Sequence, residues 1–280
     1  MSAEVAMNAS PIEKLIPAVN HIIKSLDPKS IFLSDGAYPV RMAWNEVTIS
    51  TYTVFFAIHI AMFVAIVFMA RKQMALVPKG RFINMFESHF EFVRNNIAGS
   101  AIHHDRSRYV PFLATMFIFI LISNLTGLIP GTKSGATGTI SGTLALSMIV
   151  FVYFTNHGIR GKGGWGYIKA LVPKGLPKAI VPLIFVIELA SVILRPVTQA
   201  LRLFANMYAG HIVLGIFAVA TELFFMAGFQ GGSWLNMAAS PVWLALIVAM
   251  YALEVLVCLI QAYVFTLLTA VYIESATGEH

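Results

Sequence analysis

Residues 179–227 read AIVPLIFVIELASVILRPVTQALRLFANMYAGHIVLGIFAVATELFFMA, and Glu188, Arg195, Arg202 and Glu222 are the charged side chains in this run. A helix needs about 20 apolar residues to cross roughly 30 Å of hydrocarbon at about 1.5 Å per residue. The run is more than twice that length, so it must tilt steeply, break, or lie partly along the membrane plane. Four further apolar stretches, 47–70, 109–129, 139–156 and 241–273, accompany it. The whole chain is 58% apolar and 11% charged, far from the roughly 45–50% and 25% of a soluble domain. Backbone groups in lipid must be satisfied within the segment, which favours helices for runs of this length. The expectation is an all-α polytopic membrane protein of five hydrophobic segments, a membrane domain over 47–280 preceded by a segment of residues 1–46.

The basic residues lie between the apolar runs, a position that suits topology signals and not a nucleic-acid face, despite the net charge of +6. Residues 71–108 hold Arg71, Lys72, Lys79, Arg81, Arg94, Arg106 and Arg108, and residues 158–178 hold Arg160, Lys162, Lys169, Lys174 and Lys178. The 130–138 loop has only Lys133, the 228–240 loop has no charge, and the first 46 residues balance four basic against five acidic side chains. The positive-inside rule then predicts cytoplasmic placement of the two basic loops, an outer amino terminus and a cytoplasmic carboxyl terminus. Glu4 and Glu13 interrupt the place a cleaved signal would occupy, so the first segment is expected to be retained. Within it, Ile12, Leu15, Ile16, Val19, Ile22, Ile23 and Leu26 recur at helical spacing and suit a surface helix; the alternative is a mobile tail. Cys258 is the single cysteine and reads as packing. No zinc-ligand spacing and no phosphate-binding P-loop are found, so neither metal nor cofactor is expected.

An arginine at the centre of a membrane helix costs about 2.5–3.5 kcal/mol on insertion scales and needs a partner or a task. Glu188, Ser191, Arg195, Thr198, Arg202 and Asn206 follow one another at steps of three or four and share one helical stripe. Arg195 can pair with Glu188 or reach the cytoplasmic interface. Arg202 has no carboxylate three or four residues away, and its guanidinium stays charged, so it is a fixed charge that attracts a carboxylate from another chain and repels free cations. If the last two segments form an antiparallel hairpin about GFQGGSWLN (228–236), residues at equal depth add to a nearly constant number. Arg202 then matches Gln261 at 463, and His211 matches Glu254 at 465. His211, Gly215, Ala218 and Glu222 share a face that can line an outward aqueous pocket, supplying an imidazole and acids for exchangeable protons. The plain alternative is a histidine satisfied by packing on Glu254. His59 reads as a packed neutral histidine, His103 and His104 as solvated, and Gly138 with Gly142 as a close-packing GxxxG.

The run ALRLFANMYAGHIVLG, residues 200–215, resembles the LRLFxNMxAG signature of subunit a of the F-type ATP synthases. Four further pieces extend the resemblance over most of the chain: VPKGRFINMFE, SNLTGLIPG, PLIFVIELASVILRPVTQ and LEVLVCLIQAYVFTLLTAVYI. It implies that Arg202 is the essential barrier arginine, with Glu188, Asn206, His211, Glu254 and Gln261 along the proton pathway, to which the face shared with His211 adds Glu222. His211 and Glu254 stand where some bacterial members carry the same pair the other way round. The resemblance also implies a nearly horizontal hairpin of the last two segments against a ring of c subunits, peripheral-stalk b subunits as further partners, and a place in the bacterial plasma (inner) membrane. The chain would then be no enzyme by itself but the ion-translocating subunit of one.

Two rivals remain at this level. A self-contained proton- or sodium-coupled secondary transporter would show internal repeats, and the two halves of this chain are not similar. A structural scaffold would use its buried charges only to pair helices.

Overall fold

The computed structural model describes residues 17, 20, 38–42, 45–49, 51–73, 80–103, 105–129, 137–172, 177, 180–231 and 234–278. The surface helix expected over residues 11–26 falls outside them except for residues 17 and 20. Two short strands, β1 (Tyr38–Met42) and β2 (Asn45–Ile49), pair antiparallel with Tyr38 opposite Ile49, a small hairpin the helical reading did not anticipate. Among the described residues seven helices follow: α1 (Thr51–Gln73), α2 (Arg81–Phe92), α3 (Arg106–Gly127), α4 (Ile140–Lys162), α5 (Gly164–Ala170), α6 (Val181–Gly231) and α7 (Trp234–Thr277). α2 runs on through a π-helical turn, Val93–Ala98, and a last short turn, Gly99–Ala101.

Among the described residues, four helical stretches are long and apolar enough to cross a membrane: Arg106–Gly127, Ile140–Lys162, Val181–Met226 and Pro241–Thr277. A shorter apolar stretch, Phe56–Met69, lies in α1. The protein is an all-α polytopic membrane protein. The overlong fourth segment does not break: α6 is one helix of 51 residues with Pro196 inside it, about 77 Å long at 1.5 Å per residue against roughly 30 Å of hydrocarbon. Only residues 232 and 233 separate it from α7, so most of GFQGGSWLN is helix instead of loop. α4 likewise passes the end of its apolar run at Asn156 and continues to Lys162. Thr139 caps its start by accepting a hydrogen bond from the Gly142 N–H at 3.3 Å, and Arg160 and Lys162 complement its carboxyl-terminal dipole. Gly163, at φ 75°, then ends it in a conformation that favours glycine.

Among the described residues two packed clusters hold the bundle. The larger joins Val93 and Ile97 of the π-helical turn to Leu113, Phe117 and Ile120 of α3, Val150 and Phe154 of α4, and Phe265 and Ile273 of α7. Phe112 and Tyr153 stack between α3 and α4 with ring centroids 3.7 Å apart. The smaller sets Leu125 and Leu128, at the end of α3, against Met207 and Leu214 of α6 and Cys258 of α7. Lipid is as apolar as leucine, so close fit and interhelical hydrogen bonds hold such helices together. Consistent with that, Ala200 and Ala220 of α6 and Ala262 and Ala270 of α7 are wholly buried.

Candidate functional site

α6 and α7 lie against each other along their length. Gln199 Nε2 donates to the Phe265 carbonyl at 3.0 Å and to Thr269 Oγ1 at 3.1 Å. Farther along, a Cβ placed on Gly210 would stand 2.5 Å from the Glu254 carboxyl, so the acid occupies the space the glycine leaves. Residues 199 with 265 and 210 with 254 both add to 464, within the 463–465 register read from the charges. Toward the other end the partners drift: the Arg195 guanidinium lies 5.0 Å over the Tyr272 ring and donates to Ser275 Oγ at 3.4 Å.

Steps of three and four divide α6 into two faces. Val192, Pro196, Gln199, Leu203, Met207, Gly210 and Leu214 are buried. Ser191, Thr198 and Arg202 are exposed, and Glu188, Arg195 and Asn206 are half-buried between the two faces. Arg202 therefore points away from the bundle, flanked by the exposed Leu201, at the middle of the Val181–Met226 stretch. Among the described residues no carboxylate lies within ion-pair distance of it. The pairing of Arg195 with Glu188 considered from sequence is not formed, because Tyr272 and Ser275 hold the guanidinium.

The acid and the imidazole lie on the inner side. Glu254 and Gln261 are each 7% exposed, on the face of α7 that also buries Cys258 and Phe265. Gln261 thus shares depth with Arg202 but not direction. His211 is half-buried beside Gly210, where Glu254 rests, and its Nε2 has no hydrogen-bond partner among the described residues; Gln261 Nε2 is in the same state. The histidine is therefore not satisfied by Glu254. The column His211, Gly215, Ala218, Glu222 grows more exposed along its length, and Glu222 is open. His59 is 2% exposed, and His103, outside the membrane helices, binds Glu274 through Nδ1 at 3.2 Å. His104 lies outside the described residues.

A second polar group escaped the reading of the sequence. Ser123, Asn124, Thr137, Thr143 and Ser147 are all buried where α3 ends and α4 begins. Thr137 Oγ1 donates to Asn124 Oδ1 at 2.8 Å, while Ser123 Oγ, Asn124 Nδ2 and Ser147 Oγ lack partners among the described residues. Leu125, next to Asn124, packs into the cluster of Met207, Leu214 and Cys258, which puts these groups level with His211 and Glu254. The available signal was Thr143 and Ser147 four apart on one helical face, opposite a serine and an asparagine in an apolar run.

Comparison with known proteins agrees with this architecture. The family profile described as ATP synthase A chain matches residues 51–274. ATP synthase subunit a of Parvibaculum lavamentivorans is 35% identical over 260 residues, 93% of this chain and 92% of the relative. That of Bradyrhizobium diazoefficiens is 41% identical over 201 residues, covering 72% and 78%. That of Pseudarthrobacter chlorophenolicus is 42% identical over 219 residues, covering 76% and 80%. With a matched region that runs from α1 almost to the end of α7, this chain belongs to the ATP synthase A chain family.

Proposed function

We propose that this chain is the proton-conducting stator subunit of a rotary F-type ATP synthase, providing two aqueous half-channels and the arginine that faces a ring of c subunits. The observation that carries the reading is the outward direction of Arg202. A permanent cation in mid-membrane that turns its back on its own bundle requires an anion from elsewhere. A carboxylate on each ring subunit would be that anion. Peripheral-stalk b subunits are the further partners implied, in a bacterial plasma membrane with the amino terminus outside and the carboxyl terminus in the cytoplasm.

On this reading, protons enter from outside along Glu222, His211 and Glu254, with the buried hydroxyls and amide of Ser123, Asn124 and Ser147 as hydrogen-bonding neighbours of the route. A ring carboxylate, once neutralised there, turns into lipid, because losing its charge removes most of the cost of leaving water. After nearly a full revolution it meets the second pocket, near Glu188, and releases its proton to the cytoplasm. Arg202, with Asn206 one turn away and Gln261 at the same depth, separates the pockets and blocks direct leakage. A membrane potential supplies about 2.3 kcal/mol per charge per 100 mV to drive the rotation.

Arg202→Ala tests the proposal in the assembled complex. ATP-driven proton pumping into inverted membrane vesicles is expected to vanish, with subunit levels unchanged. Pumping at the wild-type rate would sink the rotary reading, and a purified complex without a ring of small helical hairpins would favour a self-contained transporter.

A further inference from the structure

At the end of the bundle that carries the basic loops, α3, α4 and α7 wall an open cavity of about 350 Å³, within the range of roughly 300–1,000 Å³ of small-ligand sites. Its walls bear both signs of charge. Arg108 comes from the first turn of α3, Arg160 from the last turn of α4, Asp105 from the residue ahead of α3, and Glu274 from the last turns of α7. Tyr109 and His157 meet edge to face between them, centroids 5.5 Å apart. Among the described residues neither arginine is within ion-pair distance of a carboxylate. Glu274 touches His103 through both oxygens, at 3.2 and 3.4 Å, and each carboxylate oxygen accepts more than one hydrogen bond.

From the cavity's wall at Arg160 an exposed stripe runs back along α4. Ile149, Val152, Asn156 and Arg160 follow at steps of three and four along α4, and all four are exposed. In a bilayer, acyl chains cover Ile149 and Val152, and the stripe leads from them to the arginine at the rim. A polar cavity at the interfacial end of an apolar stripe has the layout of a headgroup site.

We propose that this cavity binds the headgroup of a zwitterionic phospholipid, its phosphodiester between Arg108 and Arg160 and its primary ammonium against Asp105 and Glu274. Guanidinium groups bind phosphate oxygens through paired, charge-assisted hydrogen bonds. An ammonium brings three N–H donors to carboxylates that accept only. A phosphoglycerol headgroup would leave both carboxylates facing a group without positive charge. A choline headgroup carries the charge but has no N–H to donate. The occupant is thus phosphoethanolamine on an intact lipid.

The test uses the complete complex, stripped of lipid in detergent and reloaded with phosphatidylethanolamine, phosphatidylglycerol, phosphatidylcholine or inorganic phosphate, with native mass spectrometry of the membrane sector as readout. Phosphatidylethanolamine should be retained best, and Arg108→Gln with Arg160→Gln should weaken its retention by about tenfold or more, what one lost charge-assisted contact supplies. Asp105→Asn, a change at an exposed position, should keep lipid bound but erase the preference over phosphatidylglycerol. Equal retention in the arginine variant overturns the proposal, as does a wild-type preference for phosphatidylglycerol. Displacement of the lipid by millimolar phosphate would show a free-phosphate site instead. If the arginine pair prevents assembly, the Asp105→Asn selectivity decides: an unchanged preference overturns the proposal.

Discussion

Gly210 and Glu254 show how closely side chains on neighbouring helices can depend on each other. The carboxyl of Glu254 stands where the glycine's Cβ would be, so Gly210→Ala must push it aside. Overpacking of this kind costs about 1–3 kcal/mol. The expected outcome is a lower thermal stability of the complex and a reduced ATP-driven proton flux, both partly recovered by adding Glu254→Asp, whose shorter side chain withdraws from the clash. An unchanged flux in Gly210→Ala would show that the carboxyl's position does not matter. At this scale the sequence revealed which residues are unusual: a charge is costly in lipid wherever it points. It did not reveal direction. Arg202 and Gln261 share a depth, yet one faces out and the other in, because facing depends on the rotation of two helices about their axes. Ser123, Asn124 and Ser147 went unnoticed because uncharged polar residues carry a smaller insertion penalty and do not stand out in an apolar run.

The helices read less evenly. The α6–α7 register was legible, since two depth matches between polar residues fix the alignment of a hairpin, and the pairs 199 with 265 and 210 with 254 fall on it. The helix ends were not. Apolar composition marks where a segment leaves lipid, whereas α4 continues six residues past Asn156 to its glycine cap. The π-helical turn Val93–Ala98 left no pattern either. Gln199, buried with two interhelical hydrogen bonds, is the polar tie within the hairpin. Gln199→Leu removes bonds worth about 0.5–1.5 kcal/mol each. It should lower the unfolding temperature of the complex while leaving Arg202 in place, so pumping per assembled complex falls less than in Arg202→Ala. A second element-level prediction concerns α2. His89 Nε2 donates to the Ala114 carbonyl of α3 at 3.1 Å, and burial holds its pKa below the usual 6.5, outweighing that hydrogen bond. A histidine with a depressed folded pKa binds fewer protons folded than unfolded. Its contribution to stability is present above the unfolded pKa and is lost as the pH falls from about 6.5 toward the folded value. The protection factors of α2 amides, their exchange rates taken relative to the unfolded chain at the same pH, should fall as the pH drops through that window, and His89→Gln should flatten the dependence.

For the whole molecule, α6 presents an exposed apolar face that the proposed assembly sets against the ring of c subunits. Ile193, Val197 and Leu201 lie on it, whereas Val192 and Leu203 are turned into the bundle. Cysteines at the first three should form oxidative crosslinks with cysteines near the ring carboxylate, and those at Val192 and Leu203 should not. Crosslinks from the buried set alone would reverse the orientation of the hairpin. Membership of the family was legible from one run of residues, 200–215, because a motif survives changes in the surrounding apolar filler. The cavity walled by α3, α4 and α7 was not, since those three helices are brought together only by folding.

α6 passes Pro196 without interruption and reaches α7 with only two residues between them. In the proposed assembly a turning ring pushes sideways on Arg202 once for every carboxylate that passes. An unbroken helix behaves as a beam and not as a string of links, so that load is carried to both of its flanks at once. The Gln199 tie to α7 and the packing against α4 become its bearings, and the stiffness of the stator against recoil is set by how tightly Ala200, Gly210 and Ala262 let those helices approach.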